Sequence, residues 1–210
     1  MKLDDLARQI IRNSSVKKRF IVALAGPPAS GKTTLAQKLC ESINVKVSAS
    51  RCVIVPMDGF HLDNKILDNM GIRHIKGAPQ TFDAERFIQL MQRIRGDTDT
   101  LAIPEFNREL DAVVIGGQCV NLEHRIIIVE GNYLLLNESP WDQLHAIFDL
   151  SVMLAPTLKT LEERLIWRWQ THGYSAQQAK IRASSNDIPN AKYAVENSIQ
   201  ADITVLELVD

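Results

Sequence analysis

The sequence predicts a three-layer α/β fold with a central, mostly parallel sheet. Three short runs of consecutive apolar residues lie at 20–25, 52–55 and 126–129, and the mainly apolar segments 148–154 and 203–206 are expected to be the fourth and fifth strands. A short run of consecutive apolar residues is typical of a parallel strand that is buried on both faces. Helical patterns separate these runs at about 3–12, 32–43, 83–95, 157–171 and 175–184. This alternation of strands and helices favours a parallel sheet between two helical layers.

The remaining elements complete a single predicted domain over 1–210. An N-terminal helix is expected within 1–18, and the helical region 157–185 is expected to form a lid. Residues 113–120, centred on Gly116-Gly117, predict a small hairpin inserted at the edge of the sheet, because a glycine pair is a frequent hairpin turn.

Composition restricts the function classes. The chain has 210 residues, of which 45% are apolar and 23% are charged, with a formal net charge of −1. No basic surface for nucleic acid is indicated, and no apolar run is long enough for membrane insertion. Acidic residues occur too early for a signal peptide. Cys40, Cys52 and Cys119 match no metal or redox spacing and are predicted to be reduced core thiols, so a cytoplasmic location is expected.

A phosphate-binding loop follows the first predicted strand. Its residues match G-x-x-x-x-G-K-[ST], and the helical pattern after it includes Thr34; the loop reads Gly26-Pro27-Pro28-Ala29-Ser30-Gly31-Lys32-Thr33. Glycines let backbone N–H groups converge on an anion, and the helix N-terminus adds partial positive charge. Lys32 supplies a full charge to the β- and γ-phosphates, and the Thr33 hydroxyl can ligate Mg²⁺. We therefore expect residues 26–34 to bind ATP within a P-loop NTPase fold; the alternative is a Gly/Pro turn that happens to precede Lys-Thr.

Carboxylates follow two other predicted strands, at the edge where ligands bind in such sheets. Asp58 comes after the run at 52–55, and we expect it to accept the proton of an attacking hydroxyl if that strand neighbours the P-loop strand. Glu130 stands where an acid holds Mg²⁺, directly or through water. The alternative for Asp58 is a structural role in a turn, and the alternative for Glu130 is a surface position at the end of a strand. Asn132 and Tyr133 follow and are candidates for lining an acceptor pocket.

Two arginines in the predicted lid lack nearby acids on their own helix. Arg164 and Arg168 are four positions apart, and no acidic residue lies three or four positions from either. Like charges at this spacing repel, so the pair is explained if an anion lies between them. We expect them to neutralise charge on ATP phosphates when the lid closes. A solvated basic face, or pairing with acids distant in sequence, is the alternative.

Several segments together resemble a known superfamily of P-loop kinases. They are VPMDGFHLDN at 55–64, GIRHIKGAPQTFD at 71–83, IPEFNR at 103–108, VEGNY at 129–133 and SNDIPNA at 185–191. With the P-loop, they resemble phosphoribulokinase, uridine kinase and type I pantothenate kinase. The similarity is closer to bacterial proteins described as fructose-transport-system kinases or nucleoside-kinase-like proteins, and it extends from about Phe20 to the C-terminus.

The resemblance implies use of ATP and Mg²⁺, Asp58 as the catalytic base, and a lid helix that carries Arg164 and Arg168. A homodimer, common among relatives, is a possible assembly. Residues 201–203 are expected near the adenine. The side chains expected around the acceptor are Arg73, His74, Lys76 and Arg108.

The acceptor side carries open alternatives. His61 either hydrogen-bonds a substrate hydroxyl or caps a loop, and Arg108 either clamps the substrate or is a surface residue. The chain departs from the pattern of the superfamily at Asn107, where an acid is expected, and at Ile75, where a second basic residue is expected. Both departures lie in acceptor-side segments, so the acceptor can differ from that of close relatives.

The predicted function is transfer of a phosphoryl group from ATP to a hydroxyl of a small metabolite. A sugar similar to fructose or a nucleoside is favoured by resemblance, and a pantothenate-like alcohol stays open. The competing classes are a regulatory or chaperone NTPase and a nucleotide-binding module without turnover. A GTPase is disfavoured because residues 64–67 lack the final acid of N-K-x-D.

Overall fold

The computed structural model describes residues 2–96 and 99–206. Its strands are β1 (Phe20–Ala25), β2 (Cys52–Pro56), β3 (Leu101–Asn107), β4 (Ala112–Val120), β5 (Ile126–Gly131), β6 (Leu150–Leu154) and β7 (Ile203–Val205). Its helices are α1 (Leu3–Ser14), α2 (Lys32–Lys46), α3 (Asn64–Asn69), α4 (Ala84–Gly96), α5 (Leu158–Thr171), α6 (Ala176–Arg182) and α7 (Ile188–Glu196). A π-helical turn, Ala183–Asp187, joins α6 to α7.

Five strands form one parallel sheet in the order β2-β5-β1-β6-β7. Strand β1 is buried along its whole length, and successive side chains enter different cores. Ile21 and Ala23 belong to the core that includes α4, whereas Val22 and Leu24 belong to the core that includes α1 and α2. The alternation follows from the period of two in a strand. The predicted three-layer α/β fold is thereby confirmed.

A buried carboxylate fixes the beginning of β1. The Asp149 side chain is 4% exposed and accepts hydrogen bonds from Lys17 Nζ at 2.5 Å, the Ile21 backbone N–H at 2.7 Å and Arg95 Nη2 at 2.8 Å. These hydrogen bonds lower the pKa of Asp149 by more than its burial raises it. The segment before β6 is therefore bound to the start of β1, at the end of the strands opposite the P-loop.

The small hairpin is present, but the prediction of its turn was wrong. Strands β3 and β4 pair antiparallel as a separate two-stranded sheet, and the chain reverses at 108–111. The Gly116-Gly117 pair lies inside β4, at a register shift opposite Ile103 and Pro104. Proline has no N–H to donate to the ladder, which favours a bulge there, and Gly116 adopts φ = 106°. Glycine pairs mark bulges as well as turns.

Other differences concern short helices and one thiol. The sequence did not predict α3 or α7, since both are short and flanked by irregular segments. The three cysteines are free, but Cys119 is exposed on β4, so the prediction that all three are core thiols was wrong for it. In the described part of the chain, no helix combines the length and apolarity that a membrane crossing requires.

Candidate active site

The P-loop joins β1 to α2 in a conformation that suits anion binding. Gly31 caps α2 with φ = 93°, and Ala29 also has a positive φ of 62°. Gly26 has no room for a side chain, because a Cβ there would lie 2.8 Å from the Leu154 carbonyl oxygen. Residues of left-handed conformation directly before a helix N-terminus form a concave nest of backbone N–H groups. The loop is therefore shaped for a phosphate.

A cleft of about 590 Å³ opens beside this loop. The loop and first turn of α2 form one wall, including Pro28, Ala29, Gly31, Lys32, Thr33 and Thr34. A second group of lining residues, which we call the acceptor end, comes from 58–77 and 106–111. The third side is formed by α5, α6 and the π-turn. A volume of this size is typical of a site for small molecules.

Lys32 and Glu130 lie at the base of the phosphate wall. Burial lowers the pKa of Lys32, whereas the nearby carboxylates of Glu130 and Asp58 raise it. Glu130 is 6% exposed, and its Oε2 accepts a hydrogen bond from Thr33 Oγ1 at 3.1 Å. Burial raises the pKa of Glu130, while Lys32 opposes that shift. One cation and a carboxylate–hydroxyl pair are thus concentrated at the end of β5 and the start of α2.

This donor set fits a magnesium ion that also binds phosphate oxygens. Mg²⁺ prefers oxygen ligands and usually binds one or two protein groups together with phosphates and water. The Thr33 hydroxyl and the Glu130 carboxylate are such oxygen ligands, directly beside the nest. Within residues 2–96 and 99–206, no group of three or more His, Cys, Asp or Glu side chains forms a metal cage. An ion here would take its remaining ligands from nucleotide phosphates and water.

Asp58 lines the cleft from a 3-10 turn, Met57–Phe60, that directly follows β2. Its side chain is 27% exposed, and its Oδ2 accepts a hydrogen bond from Arg108 Nη2 at 3.0 Å. The condition placed on this role, that β2 neighbours the P-loop strand, is not met, because β5 lies between them. Asp58 nevertheless faces the same cleft as Lys32, since the carboxyl ends of all three strands meet at this edge.

The lid helices cover the phosphate wall. Arg164 Nη1 donates hydrogen bonds to the backbone carbonyl oxygens of Ala29 and Ser30, at 3.4 and 3.3 Å. Arg168 lines the cleft, and its Nη2 lies 3.8 Å from Asp187 Oδ1. The partner of Arg168 is therefore an acid distant in sequence, which was the alternative interpretation of the arginine pair. Neither arginine interacts with an acid on α5 itself.

Asp187 organises this lid from the π-turn. It is 7% exposed, and its Oδ2 accepts a hydrogen bond from Trp169 Nε1 at 2.5 Å. Burial raises the pKa of Asp187, and Trp169 and Arg168 oppose the shift. The Trp169 ring also lies 4.2 Å from the Arg182 guanidinium. Lid side chains are thus oriented by one buried carboxylate and one indole ring.

An aromatic wall supports His61 at the acceptor end. The His61 ring is 4.1 Å from Phe82 and 4.6 Å from Phe106 between centroids. Burial lowers the pKa of His61 to about 4, although Asp58 opposes the shift, so the imidazole is neutral at pH 7. Its Nδ1 is buried and has no hydrogen-bond partner in the described part of the chain. Phe82 is a core residue, whereas Phe106 lines the cleft.

Lys76 holds the turn of the hairpin in place. Its Nζ lies 2.7 Å from Asp111 Oδ1 and 2.7 Å from Asn64 Oδ1, and it also donates to the Asp111 carbonyl at 3.3 Å. The Lys76 ammonium has three N–H groups, and these contacts use all of them. Arg73 also lines the cleft, and its Nη1 lies 3.0 Å from Asp68 Oδ2.

The other expected acceptor residues have different positions. Asn132 lines the cleft and is 9% exposed, and its Oδ1 accepts no hydrogen bond from the described residues. Tyr133 is fully buried in the core, and its hydroxyl donates to the Gly77 carbonyl oxygen at 2.6 Å. His74 is exposed and is not among the residues that line the cleft. The structure thus brings Asn132 to the cleft but not Tyr133 or His74.

Sequence reasoning missed several cleft residues from the hairpin turn and the lid. They are Asp111, His172, Arg182, Asn186, Asp187 and Asn190. Asn186 donates from Nδ2 to the Lys76 carbonyl oxygen at 2.9 Å, so the π-turn contacts the acceptor end directly. The segment SNDIPNA contains three of these residues, and its resemblance to kinases was the signal that could have placed them.

Comparisons with known proteins agree with this geometry. The family model described as "Phosphoribulokinase / Uridine kinase family" matches residues 21–206. The chain is 32% identical over 212 residues to "Putative uridine kinase C227.14" of Schizosaccharomyces pombe, across 98% of this chain and 90% of that protein. It is 27% identical over 158 residues to a pantothenate kinase of Enterococcus faecalis, across 75% of this chain and 50% of that protein.

A solved structure with the same fold is also similar in sequence. It is the "putative fructose transport system kinase" from Silicibacter sp. TM1040, with a TM-score of 0.89 and 37% identity. The similarity covers 98% of this chain and 99% of that one.

Proposed function

Because the chain belongs to the phosphoribulokinase and uridine kinase family, whose members are ATP-dependent P-loop kinases, we propose how its cleft transfers a phosphoryl group. The γ-phosphoryl group of ATP moves to a hydroxyl of a small metabolite that binds at the acceptor end. A sugar or a nucleoside is the favoured class, and a pantothenate-like alcohol is the second candidate. The similarity to a pantothenate kinase supports this second class.

One observation carries the proposal. Lys32 at the start of α2 and Asp58 on the turn after β2 line the same cleft, and they are close enough for the Asp58 carboxylate to raise the pKa of Lys32. A phosphate held by the P-loop would therefore share the cleft with a cation that binds it and a carboxylate that can receive a proton. In-line transfer needs this arrangement of donor and acceptor groups.

Asp58 acts as the general base. The acceptor hydroxyl hydrogen-bonds to Asp58, its proton passes to the carboxylate, and its oxygen forms the new bond to the γ-phosphorus. The bond between that phosphorus and the bridging oxygen breaks, and ADP leaves with the electron pair. Lys32, Arg164 and Arg168 stabilise the negative charge that develops on the transferred group.

Thr33 and Glu130 would hold Mg²⁺ beside the phosphates, where the ion would neutralise charge on their oxygens. Gly26, Gly31 and the backbone N–H groups between them orient the triphosphate. On the acceptor side, His61, Arg73, Arg108 and Asn132 line the cleft and would position the substrate. Lys76 contributes by holding the hairpin turn, since its N–H groups are already engaged.

The enzyme would work in the cytoplasm. The three cysteines are free, which suits a reducing compartment, and the nucleotide substrate is supplied there.

ADP release tests the proposal. The full chain with ATP and Mg²⁺ is screened against sugars, nucleosides and vitamin alcohols, and one acceptor should raise ADP release far above basal hydrolysis. Lys32→Ala serves as the inactive control, because it removes the P-loop cation. An ADP release rate that no acceptor changes, in a protein that binds ATP, would contradict the kinase mechanism for these acceptors and favour a hydrolytic NTPase.

A further inference from the structure

We propose that the acceptor carries a phosphate or carboxylate group in addition to its reacting hydroxyl, and that Arg73, Arg108 and Arg182 bind this anion. The inference rests on the proposed function, because it describes the substrate of the same cleft. It narrows the acceptor to an anionic alcohol, such as a sugar phosphate or a hydroxy acid, and away from a free sugar or a free nucleoside.

The charge of the cleft is the first argument. Six basic side chains line it, against three carboxylates; the basic ones are Lys32, Arg73, Lys76, Arg108, Arg168 and Arg182. Lys32 and Arg168 are assigned to the ATP phosphates, and Lys76 is neutralised by Asp111. Three arginines from three separate elements remain. Arg73 and Arg108 form partly exposed ion pairs with Asp68 and Asp58, which an anionic ligand can replace, and Arg182 forms no ion pair with the described residues. Buried clefts with one dominant sign of charge attract ligands of the opposite sign.

These arginines repel neighbouring cations in the absence of ligand. Burial lowers the pKa of Arg168, Asp187 opposes the shift, and both Arg108 and Arg182 add to the lowering. Because Arg108, Arg168 and Arg182 all line the cleft, their mutual repulsion acts within the cleft. A bound anion between them would relieve it.

Arg182 has an incomplete set of partners. It is exposed at the end of α6 and stacks on the Trp169 ring at 4.2 Å. No carboxylate oxygen of residues 2–96 or 99–206 lies within 4.0 Å of its guanidinium nitrogens. Stacking leaves the planar edge of a guanidinium available, and that edge matches phosphate and carboxylate oxygens. Asn186, one turn further along the chain, contacts the acceptor end through the Lys76 carbonyl.

Arg108 has a partner that the reaction must displace. Its Nη2 donates to Asp58 Oδ2 at 3.0 Å, and its side chain is 63% exposed. When an acceptor hydroxyl approaches Asp58 for deprotonation, it competes with Arg108 for this carboxylate. An anionic group on the same acceptor gives Arg108 a new partner within reach. A neutral acceptor would leave it without one.

The first experiment measures anion binding directly, without knowledge of the acceptor. The full chain is saturated with Mg²⁺ and a non-hydrolysable ATP analogue, which fills the P-loop, and inorganic phosphate is then titrated by calorimetry. We expect one phosphate to bind, with an affinity that Arg108→Gln or Arg182→Gln reduces by about tenfold or more. Affinity for the analogue should change far less. Arg8→Gln, in an exposed pair on α1, is the matched control and should change neither affinity.

The absence of phosphate binding to the loaded protein would overturn the inference. So would a loss of affinity for the ATP analogue as large as the loss for phosphate, because the arginines would then serve the nucleotide.

The second experiment compares matched acceptors that differ only in the anionic group. The pairs are glycerate and glycerol, pantothenate and pantothenyl alcohol, and fructose 1-phosphate and fructose. We expect the anionic member of one pair to have the higher kcat/KM, by about tenfold to a hundredfold, and Arg73→Gln to reduce that preference through KM rather than kcat. The phosphate and carboxylate pairs distinguish the two kinds of anion.

The outcomes separate this inference from the kinase proposal. Preferred turnover of neutral members would overturn the anionic acceptor and leave the kinase mechanism intact. Phosphate binding with the expected arginine dependence, but without turnover of any pair, would support the anion site and count against the proposed transfer to these acceptors.

Discussion

Replacing Asp58 with Asn should separate catalysis from binding and stability. The variant keeps the shape of the side chain and its place in the cleft but cannot accept a proton. General base catalysis contributes about 10²- to 10⁴-fold to rate, which corresponds to about 3–5 kcal/mol of transition-state stabilisation. We therefore expect kcat to fall by that factor, while affinity for ATP changes little, because the P-loop forms a different part of the cleft.

The effect on stability should be small by comparison. The Asp58–Arg108 ion pair is 3.0 Å long, but its side chains are 27% and 63% exposed. Such pairs contribute about 0–1 kcal/mol, equivalent to a decrease in Tm of at most about 4 °C for a domain of this size. If activity falls much more than the fraction of folded protein, the loss can be assigned to the phosphoryl-transfer step.

Steady-state ADP release at saturating ATP and acceptor measures kcat, and calorimetry measures the affinity for ATP. Asp111→Asn is the matched control, because Asp111 also lines the cleft and pairs with Lys76 at 2.7 Å. We expect that control to keep activity within about tenfold, since it alters only an exposed ion pair. If Asp58→Asn retains a turnover number close to that of the control, Asp58 is not the base and the mechanism must be revised.

Three further predictions concern other buried polar groups. Asp149→Asn should lower the free energy of unfolding by about 3 kcal/mol, because Lys17 and Arg95 lose a buried carboxylate partner. The pKa of Asp149 is lowered in the folded state, so its contribution to stability is present above the unfolded pKa and is lost as the pH falls through the folded-state pKa. Urea unfolding at several pH values should therefore show a free energy of unfolding that depends less on pH in the variant than in the original protein. Parallel pH dependences would contradict this. The pKa of Glu130 is raised, so Mg²⁺-dependent affinity for ATP should decrease as the pH falls and Glu130 becomes neutral. The Glu130→Gln variant should bind ATP weakly at every pH. An identical pH dependence in both proteins would exclude Glu130 as the titrating ligand. Tyr133→Phe should decrease stability by about 0.5–1.5 kcal/mol, because it removes the hydrogen bond from the Tyr133 hydroxyl to the part-buried Gly77 carbonyl; this should be visible as a lower Tm, and an unchanged Tm would indicate that water replaces the hydroxyl.

The sequence predicted the sheet and the phosphate wall because both depend on local signals. Apolar runs fix the parallel strands, and a motif of eight residues specifies the loop through backbone geometry. The predicted helices also agree closely, with α5 at Leu158–Thr171 where a helix was expected at 157–171. The order of strands was not accessible, since β5 pairs with both β1 and β2 through contacts distant in sequence.

The acceptor end was predicted less well because its side chains owe their positions to tertiary contacts. Asn132 and Tyr133 are adjacent in sequence, yet Asn132 lines the cleft and Tyr133 is in the core, because neighbouring side chains point in different directions after the strand ends. The sequence also contains no signal that Lys76 is engaged by Asp111, 35 positions away. The resemblance implied a substrate role for Lys76, whereas its contacts indicate that it holds the hairpin turn.

The hydrogen bond from Asn186 to the Lys76 carbonyl links two sites that are usually considered separately. The π-turn that carries Asn186 continues into Asp187, which orients Arg168 above the phosphate wall. We expect a displacement of the lid on ATP binding to reach the backbone of the acceptor loop through this contact. By thermodynamic linkage, each substrate should then change the affinity of the other by the same factor.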